Sequence, residues 1–257
     1  MSILNEIVEK LRPRLMGRKQ RLPLEQLVEQ ARRCPPRPSF QAAFNGEGMR
    51  VIAEIKSASP SKGIIRRELD VPSLALELEQ GGAAALSILT EPNYFLGDES
   101  YLELAAAAVS LPLLRKDFIF DEYQIAEAKL LGASCVLLIA AMLPRPDFYR
   151  LLDFAHSLGL AVLGEAHTEK ELEIALAADL VGVNARDLHT FDTSLKHSAE
   201  LLRLIPQHKM PIAESAVKSL EDMKMLTDAG ARGFLIGETL MRAEHPGLKL
   251  KEILQCC

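Results

Sequence analysis

Eight short apolar runs recur along the chain, at residues 51–56, 84–89, 112–116, 135–139, 161–165, 180–184, 210–214 and 233–236. Runs this short, apolar on both faces, are the signature of parallel strands buried between two layers. Helical patterns fill the intervals, at 71–80, 98–109, 121–131, 145–158, 168–177, 194–204, 218–229 and about 246–255. Strict alternation of strand and helix predicts a parallel sheet with helices outside it, and eight units close into a (β/α)8 TIM barrel, an α/β fold. An open doubly wound sheet is the alternative, but no G-x-G-x-x-G follows any of the runs.

Polar residues stand where the runs stop. Val51-Ile52-Ala53 leads into Glu54 and Lys56, and Pro112-Leu113-Leu114 into Arg115, Lys116 and Asp117. The later runs end at Glu165, Asn184 and Glu214. The carboxyl ends of parallel strands converge on one rim, where such folds carry their active sites. Lys56, Lys116, Glu54, Glu165 and Glu214 are therefore expected in one pocket. Alternation along a strand puts Glu54 and Lys56 on the same side, and Arg115 on the side opposite Lys116.

The 257-residue chain has the length of one such barrel, and its net charge of -5 does not suggest a nucleic-acid or anionic-membrane surface. No run approaches the roughly 18 apolar residues of a membrane span. Residues 1–15 carry Glu6, Glu9, Lys10, Arg12 and Arg14, too much charge for a signal-peptide core. Leu4, Ile7, Val8 and Leu11 recur at helical spacing and predict a surface helix over about 2–15. A second helix is expected over 23–33, then a proline-rich connector from Arg32 to Pro38. The chain thus reads as a single barrel domain, residues 1–257, of which about 1–46 is an N-terminal helical extension. Asp121 is expected to cap the third helix after the first strand, and Thr168 with Glu171 has capping-box spacing. Cys34, Cys135, Cys256 and Cys257 form no C-x-x-C, Cys135 sits in an apolar run, and no polybasic stretch precedes the terminal pair. Such usage fits a reducing cytoplasm. The histidines show no H-E-x-x-H or comparable grouping, so neither metal nor cofactor is expected.

The strand-end motifs, in order, resemble those of the indole-3-glycerol-phosphate synthase family. They are Val51-Ile52-Ala53-Glu54-Ile55-Lys56-Ser57-Ala58-Ser59-Pro60-Ser61; Leu86-Ser87-Ile88-Leu89-Thr90-Glu91 with Tyr94-Phe95 and Gly97; and Pro112-Leu113-Leu114-Arg115-Lys116-Asp117-Phe118-Ile119. Val183-Asn184-Ala185-Arg186-Asp187-Leu188, Ile212-Ala213-Glu214-Ser215 and Leu235-Ile236-Gly237-Glu238 complete the set. The resemblance covers essentially the whole chain. It implies a carboxy-lyase of tryptophan biosynthesis that converts 1-(2-carboxyphenylamino)-1-deoxyribulose 5-phosphate to indole-3-glycerol phosphate, carbon dioxide and water.

By the same resemblance, Lys116 protonates the ketone oxygen during ring closure, and Glu165 is the base of the dehydration. Lys56, with Glu54 beside it, holds the substrate carboxylate. Asn184, Glu214 and Ser215 surround the hydroxyls and ring, with Arg186 facing the same rim. Phe95, Phe118, Leu137 and Leu188 are expected to wall in the anthranilate ring. Backbone N–H groups of Ala216, Gly237 and Glu238 are expected at the phosphate, with a short helix near 238–241, and Ser59 and Lys62 at the same end. Two positions depart from the family pattern. Leu163-Gly164-Glu165-Ala166-His167 stands where Val-Glu-Val-His is usual, with His167 read as a loop-start residue, and Ala216 stands where glycine is usual. The expected partner is the phosphorylated small molecule alone. The expected state is a monomer, at most weakly associated with other tryptophan-pathway enzymes. Two other readings remain at this point: a different phosphosugar isomerase on the same barrel, or a catalytically idle phosphate-binding barrel acting as scaffold or sensor.

Overall fold

The computed structural model describes residues 3–46, 48–187, 192–217 and 219–255. Its main sheet comprises β1 (Arg50–Ile55), β2 (Ala85–Leu89), β3 (Leu113–Lys116), β4 (Cys135–Ile139), β5 (Ala161–Ala166), β6 (Leu180–Asn184), β7 (Met210–Glu214) and β8 (Gly233–Ile236). Each strand pairs in parallel with the next, and β8 closes on β1 through Arg50↔Gly233 to Ala53↔Ile236. The eight-stranded barrel expected from the apolar runs is therefore present, each strand within about one residue of its expected bounds.

Two apolar layers result from the strand alternation. Ile52, Leu114, Cys135, Leu163, Leu180, Ile212 and Leu235 fill the barrel interior. Val51, Ala53, Leu113, Val136, Val162, Val181 and Phe234 face the helices. Those helices are α3 (Val71–Gln80), α4 (Glu99–Ala108), α5 (Glu122–Leu130), α6 (Arg145–Ser157), α7 (Glu169–Ala175), α8 (Leu195–Leu202), α9 (Leu220–Asp228), α10 (Glu238–Arg242) and α11 (Pro246–Gln255). Asp70, Asp98, Asp121, Thr168, Ser194 and Ser219 each cap the helix that follows with a side-chain oxygen. Only half of the capping box expected at α7 forms. Thr168 accepts from the Glu171 N–H, but the Glu171 carboxylate reaches past Thr168 to the backbone N–H of His167, at 2.7 Å. The reciprocal box appears instead at Ser219 and Asp222.

Before the barrel come α1 (Ile3–Arg21) and α2 (Leu24–Arg33). The first runs about six residues beyond its expected end, through Pro13 and Gly17. The apolar spacing fades after Leu15, but ion pairs carry the helix on: Arg18 pairs with Glu99 and Glu127, and Lys19 lies 2.6 Å from Asp121. Its apolar face is buried at Leu4, Ile7, Val8, Leu11 and Leu15. The proline-rich connector is fastened by Arg37, which donates to the carbonyls of Ala106 and Val109 at 2.9 and 2.8 Å. Phe44, at the end of a 3₁₀ turn, then plugs the barrel floor against Gly233, where a Cβ would fall within 3 Å of its ring.

Gly164 precedes Glu165 on β5. It faces outward, and a Cβ there would lie 2.9 Å from the Ala178 methyl and 3.0 Å from the Ala175 carbonyl. Its small size lets the end of α7 approach the sheet. Leu188, His189 and the terminal Cys256-Cys257 lie outside the described residues.

Candidate active site

The carboxyl ends of the strands open into a cavity of about 600 Å³. Apart from Leu188, which is not described, every site residue expected from the sequence lines it: Glu54, Lys56, Ser59, Phe95, Lys116, Phe118, Leu137, Glu165, Asn184, Arg186, Glu214, Ser215, Ala216, Gly237 and Glu238. Lys62 lines it too. The sequence reading missed Asp192, Thr193, Thr239 and Arg242. Arg242 carries no local signal, because a basic residue in a helix's last turn is ordinary.

Lys116 is the hub. Its Nζ lies 2.6 Å from Glu165 Oε2 and 2.8 Å from Glu214 Oε2. The three side chains reach one point because Lys116, Glu165 and Glu214 occupy inward-facing positions at the carboxyl ends of β3, β5 and β7. Gly182 on β6 leaves room for this: a Cβ there would collide with the Glu214 carboxylate. Burial opposes a charged Lys116, yet the carboxylates of Glu165, Glu214 and Glu54 outweigh it and hold the ammonium protonated well above the usual lysine range. Both carboxylates are nearly sealed from solvent, at 2% and 1% exposure. They do not behave alike. Burial pushes Glu214 up to about 7, reinforced by the neighbouring Glu165 charge and only partly countered by Lys116. For Glu165 burial is outweighed by Lys116 and His167, which bring it down to about 2. Asn184 Nδ2 also donates to Glu165, at 3.2 Å. The cluster at neutral pH is one ammonium, one firm carboxylate and one carboxyl close to its midpoint.

Arg115, next in the chain, faces the other way. It is fully buried behind the sheet, with Asp117 at 2.9 Å and Glu127 at 2.8 Å, and it donates to the Gln124 carbonyl at 2.9 Å. Glu127 also pairs with Arg18 of α1, so the strand that presents Lys116 is bolted to the N-terminal helix.

Two further ends frame the cavity. On one side Phe95 and Phe118 stack in a tilted pair, ring centroids 5.9 Å apart, above Leu137. The loop bearing Phe95 is held by the fully buried Glu91, whose carboxylate accepts the N–H groups of Asn93, Tyr94 and Phe95. On the other side Ser59, Lys62, Ala216, Gly237, Glu238 and Arg242 line the wall. There Arg242 Nε lies 3.1 Å from Glu238. Lys56 pairs with Glu54 on the same strand end. Ser215 and Ala216 both have positive φ, 64° and 59°. The alanine thus adopts the left-handed conformation that glycine takes freely, at roughly 1–2 kcal/mol. Among the described residues no group of three or more His, Cys, Asp or Glu is arranged to hold a metal ion, and no helix is long and apolar enough to cross a membrane.

A closed parallel barrel with an ammonium clamped between two carboxylates at its mouth defines an acid–base enzyme of the (β/α)8 class. Comparison with solved structures finds the same fold in a 3-hexulose-6-phosphate synthase, with a TM-score of 0.64 and 14% identity over 80% of this chain and 99% of that one. A tryptophan synthase α-subunit from Pyrococcus furiosus gives 0.61 and 17% over 80% and 98%. At such identities the likeness is one of fold alone. The family model for indole-3-glycerol phosphate synthase matches residues 4–253. Curated proteins of that name are 41% identical in Alkaliphilus metalliredigens, over 98% of this chain and 97% of the relative, and 44% in Aliarcobacter butzleri, over 96% and 95%. The chain belongs to the indole-3-glycerol phosphate synthase family.

Proposed function

We infer that the chain is an indole-3-glycerol-phosphate synthase. It closes the ring of 1-(2-carboxyphenylamino)-1-deoxyribulose 5-phosphate, then releases carbon dioxide and water, in tryptophan biosynthesis. The observation that carries this reading is the Lys116 ammonium held between Glu165 and Glu214 inside the cavity.

The chemistry needs a proton at the ketone oxygen as the ring carbon attacks, and a base once the carboxylate has left. Lys116 is the acid: a compact, protonated ammonium reaching into the cavity. Glu165 is the base, since its carboxylate stays ionised. Glu214, near its midpoint at neutral pH, shares the proton of the cluster, and Asn184 and Ser215 orient the hydroxyls. Lys56, with Glu54 behind it, takes the substrate carboxylate. The Phe95–Phe118 pair and Leu137 wall the aromatic ring away from water. The phosphate sits at the opposite wall, near Ser59, Lys62, Ala216, Gly237, Glu238 and Arg242, with Arg186 toward the hydroxyls. We read the chain as one barrel domain with residues 1–46 as its extension, acting as a monomer in the cytoplasm on this phosphorylated small molecule.

Incubating the purified protein with the carboxyphenylamino-deoxyribulose phosphate and following indole absorbance and fluorescence tests the reading. Turnover is expected, and Lys116→Ala should abolish it while substrate still binds. Binding without any turnover by the wild-type chain would mean an idle barrel; full activity in Lys116→Ala would remove the acid from this site.

A further inference from the structure

His167 follows directly on β5, two residues after Glu165, and its ring is walled in at 9% exposure. Nε2 lies 3.5 Å from Glu165 Oε1, and Nδ1 lies 3.4 Å from Glu171 Oε2. The same Glu171 oxygen accepts the backbone N–H of His167 at 2.7 Å, and His197 Nε2 lies 2.9 Å from its carbonyl oxygen. The backbone is thus fixed by α7 on one side and α8 on the other, while the two buried ring nitrogens make no hydrogen bond and each faces a carboxylate within 3.5 Å. A neutral imidazole has one N–H and can serve only one of two flanking carboxylates; an imidazolium serves both.

We propose that His167 is a positioning residue for catalysis: clamped as an imidazolium between Glu165 and Glu171, it keeps the Glu165 carboxylate aimed into the cavity and ionised throughout the cycle. This rests on the reading of Glu165 as the base. In that reading Lys116 gives up its proton during ring closure and ceases to be a counter-charge. His167 supplies a positive charge that ring closure does not consume.

The charged groups around the ring agree with this. Glu165 faces it from its own strand, Glu171 from α7 and Glu214 from β7. Lys116 lies beyond Glu165, and His197 on α8 has Glu200 at 3.9 Å from its own ring. Burial works against a charged His167, but the Glu171 carboxylate 3.4 Å from Nδ1 and the charges of Glu165 and Glu214 outweigh it, so its pKa lies above the ordinary imidazole value.

Three measurements decide. Nitrogen NMR of the wild-type protein should show His167 doubly protonated at pH 7, and Glu171→Gln should lower its midpoint by about one pH unit. His167→Gln should lower kcat about tenfold at pH 7 with KM changed less than about twofold, and move the acid limb of the kcat profile to higher pH, because Glu165 loses a neighbouring cation. Glu171→Gln, which leaves the ring in place, should move the limb the same way by less. A neutral His167 at pH 7 in the wild type, or a His167→Gln enzyme with an unchanged pH profile, overturns the proposal. Glu165→Gln separates the two levels. If it is inactive while His167→Gln is unaltered, only this inference falls; if it is fully active, the base assignment itself falls.

Discussion

Replacing Lys116 with methionine keeps most of the side chain's volume and removes its charge. What remains is Glu165 and Glu214, both buried and both formerly within 2.8 Å of the same ammonium. Leaving the two carboxylates without it costs the roughly 3–5 kcal/mol typical of breaking a buried pair. The loss must depend on pH. In the wild type the lowered Glu165 contributes stability above pH 4.5 that is lost as pH falls toward 2. Glu214, raised to about 7, already costs the wild type stability as pH rises from 4.5 to 7; in the variant both carboxyls are raised, so its stability falls more steeply over that range. Urea titrations at pH 5 and pH 8 should therefore show a gap between the two proteins that widens by roughly 2 kcal/mol or more toward pH 8. Activity should fall by at least about a thousandfold at both values, since the acid is gone. A gap that is the same at both pH values would refute the account of the cluster, and turnover within tenfold of wild type would refute the role of Lys116.

Two other perturbations probe the cavity walls. Ala216→Gly relieves roughly 1–2 kcal/mol of left-handed strain but adds about 0.4–1 kcal/mol of unfolded-state freedom. The melting temperature should rise by a few degrees or less, and KM should change more than kcat; a clear fall in melting temperature, or an unchanged KM, counts against Ala216 lining the phosphate end. Gly182→Ala drives a methyl into the Glu214 carboxylate, so it should lose about 1–3 kcal/mol in denaturant titration and at least tenfold in kcat. Wild-type stability and turnover in that variant would mean the carboxylate has room to move aside.

Much of this site was legible because strand geometry is strict. A buried parallel strand ends on the same rim as its neighbours, so Glu54, Lys116, Glu165, Asn184 and Glu214 could be assigned to one mouth from run endings alone. The opposed directions of Arg115 and Lys116 followed from the two-residue period. What escaped depends on contacts between segments distant in sequence. The length of α1 was hidden because Arg18 and Lys19 are held by Glu99, Glu127 and Asp121, about a hundred residues later. The burial of His167 was hidden because a histidine just past a strand reads as a loop residue until Glu171 is seen bending back to it. The strain at Ala216 was invisible because the sequence does not fix φ.

Arg115 and Lys116 carry equal charge in adjacent positions, yet one is sealed among α5 and the N-terminal helix while the other meets two carboxylates in the mouth. The pleat makes this pair intolerant of phase. Inserting or deleting a single residue within β3 would reverse their faces, turning the guanidinium, together with Asp117, into the chamber and the ammonium outward toward Glu127. A guanidinium never surrenders its proton, so the exchanged barrel would be complete in outline and chemically mute. Length variation within β3 is thereby confined to steps of two.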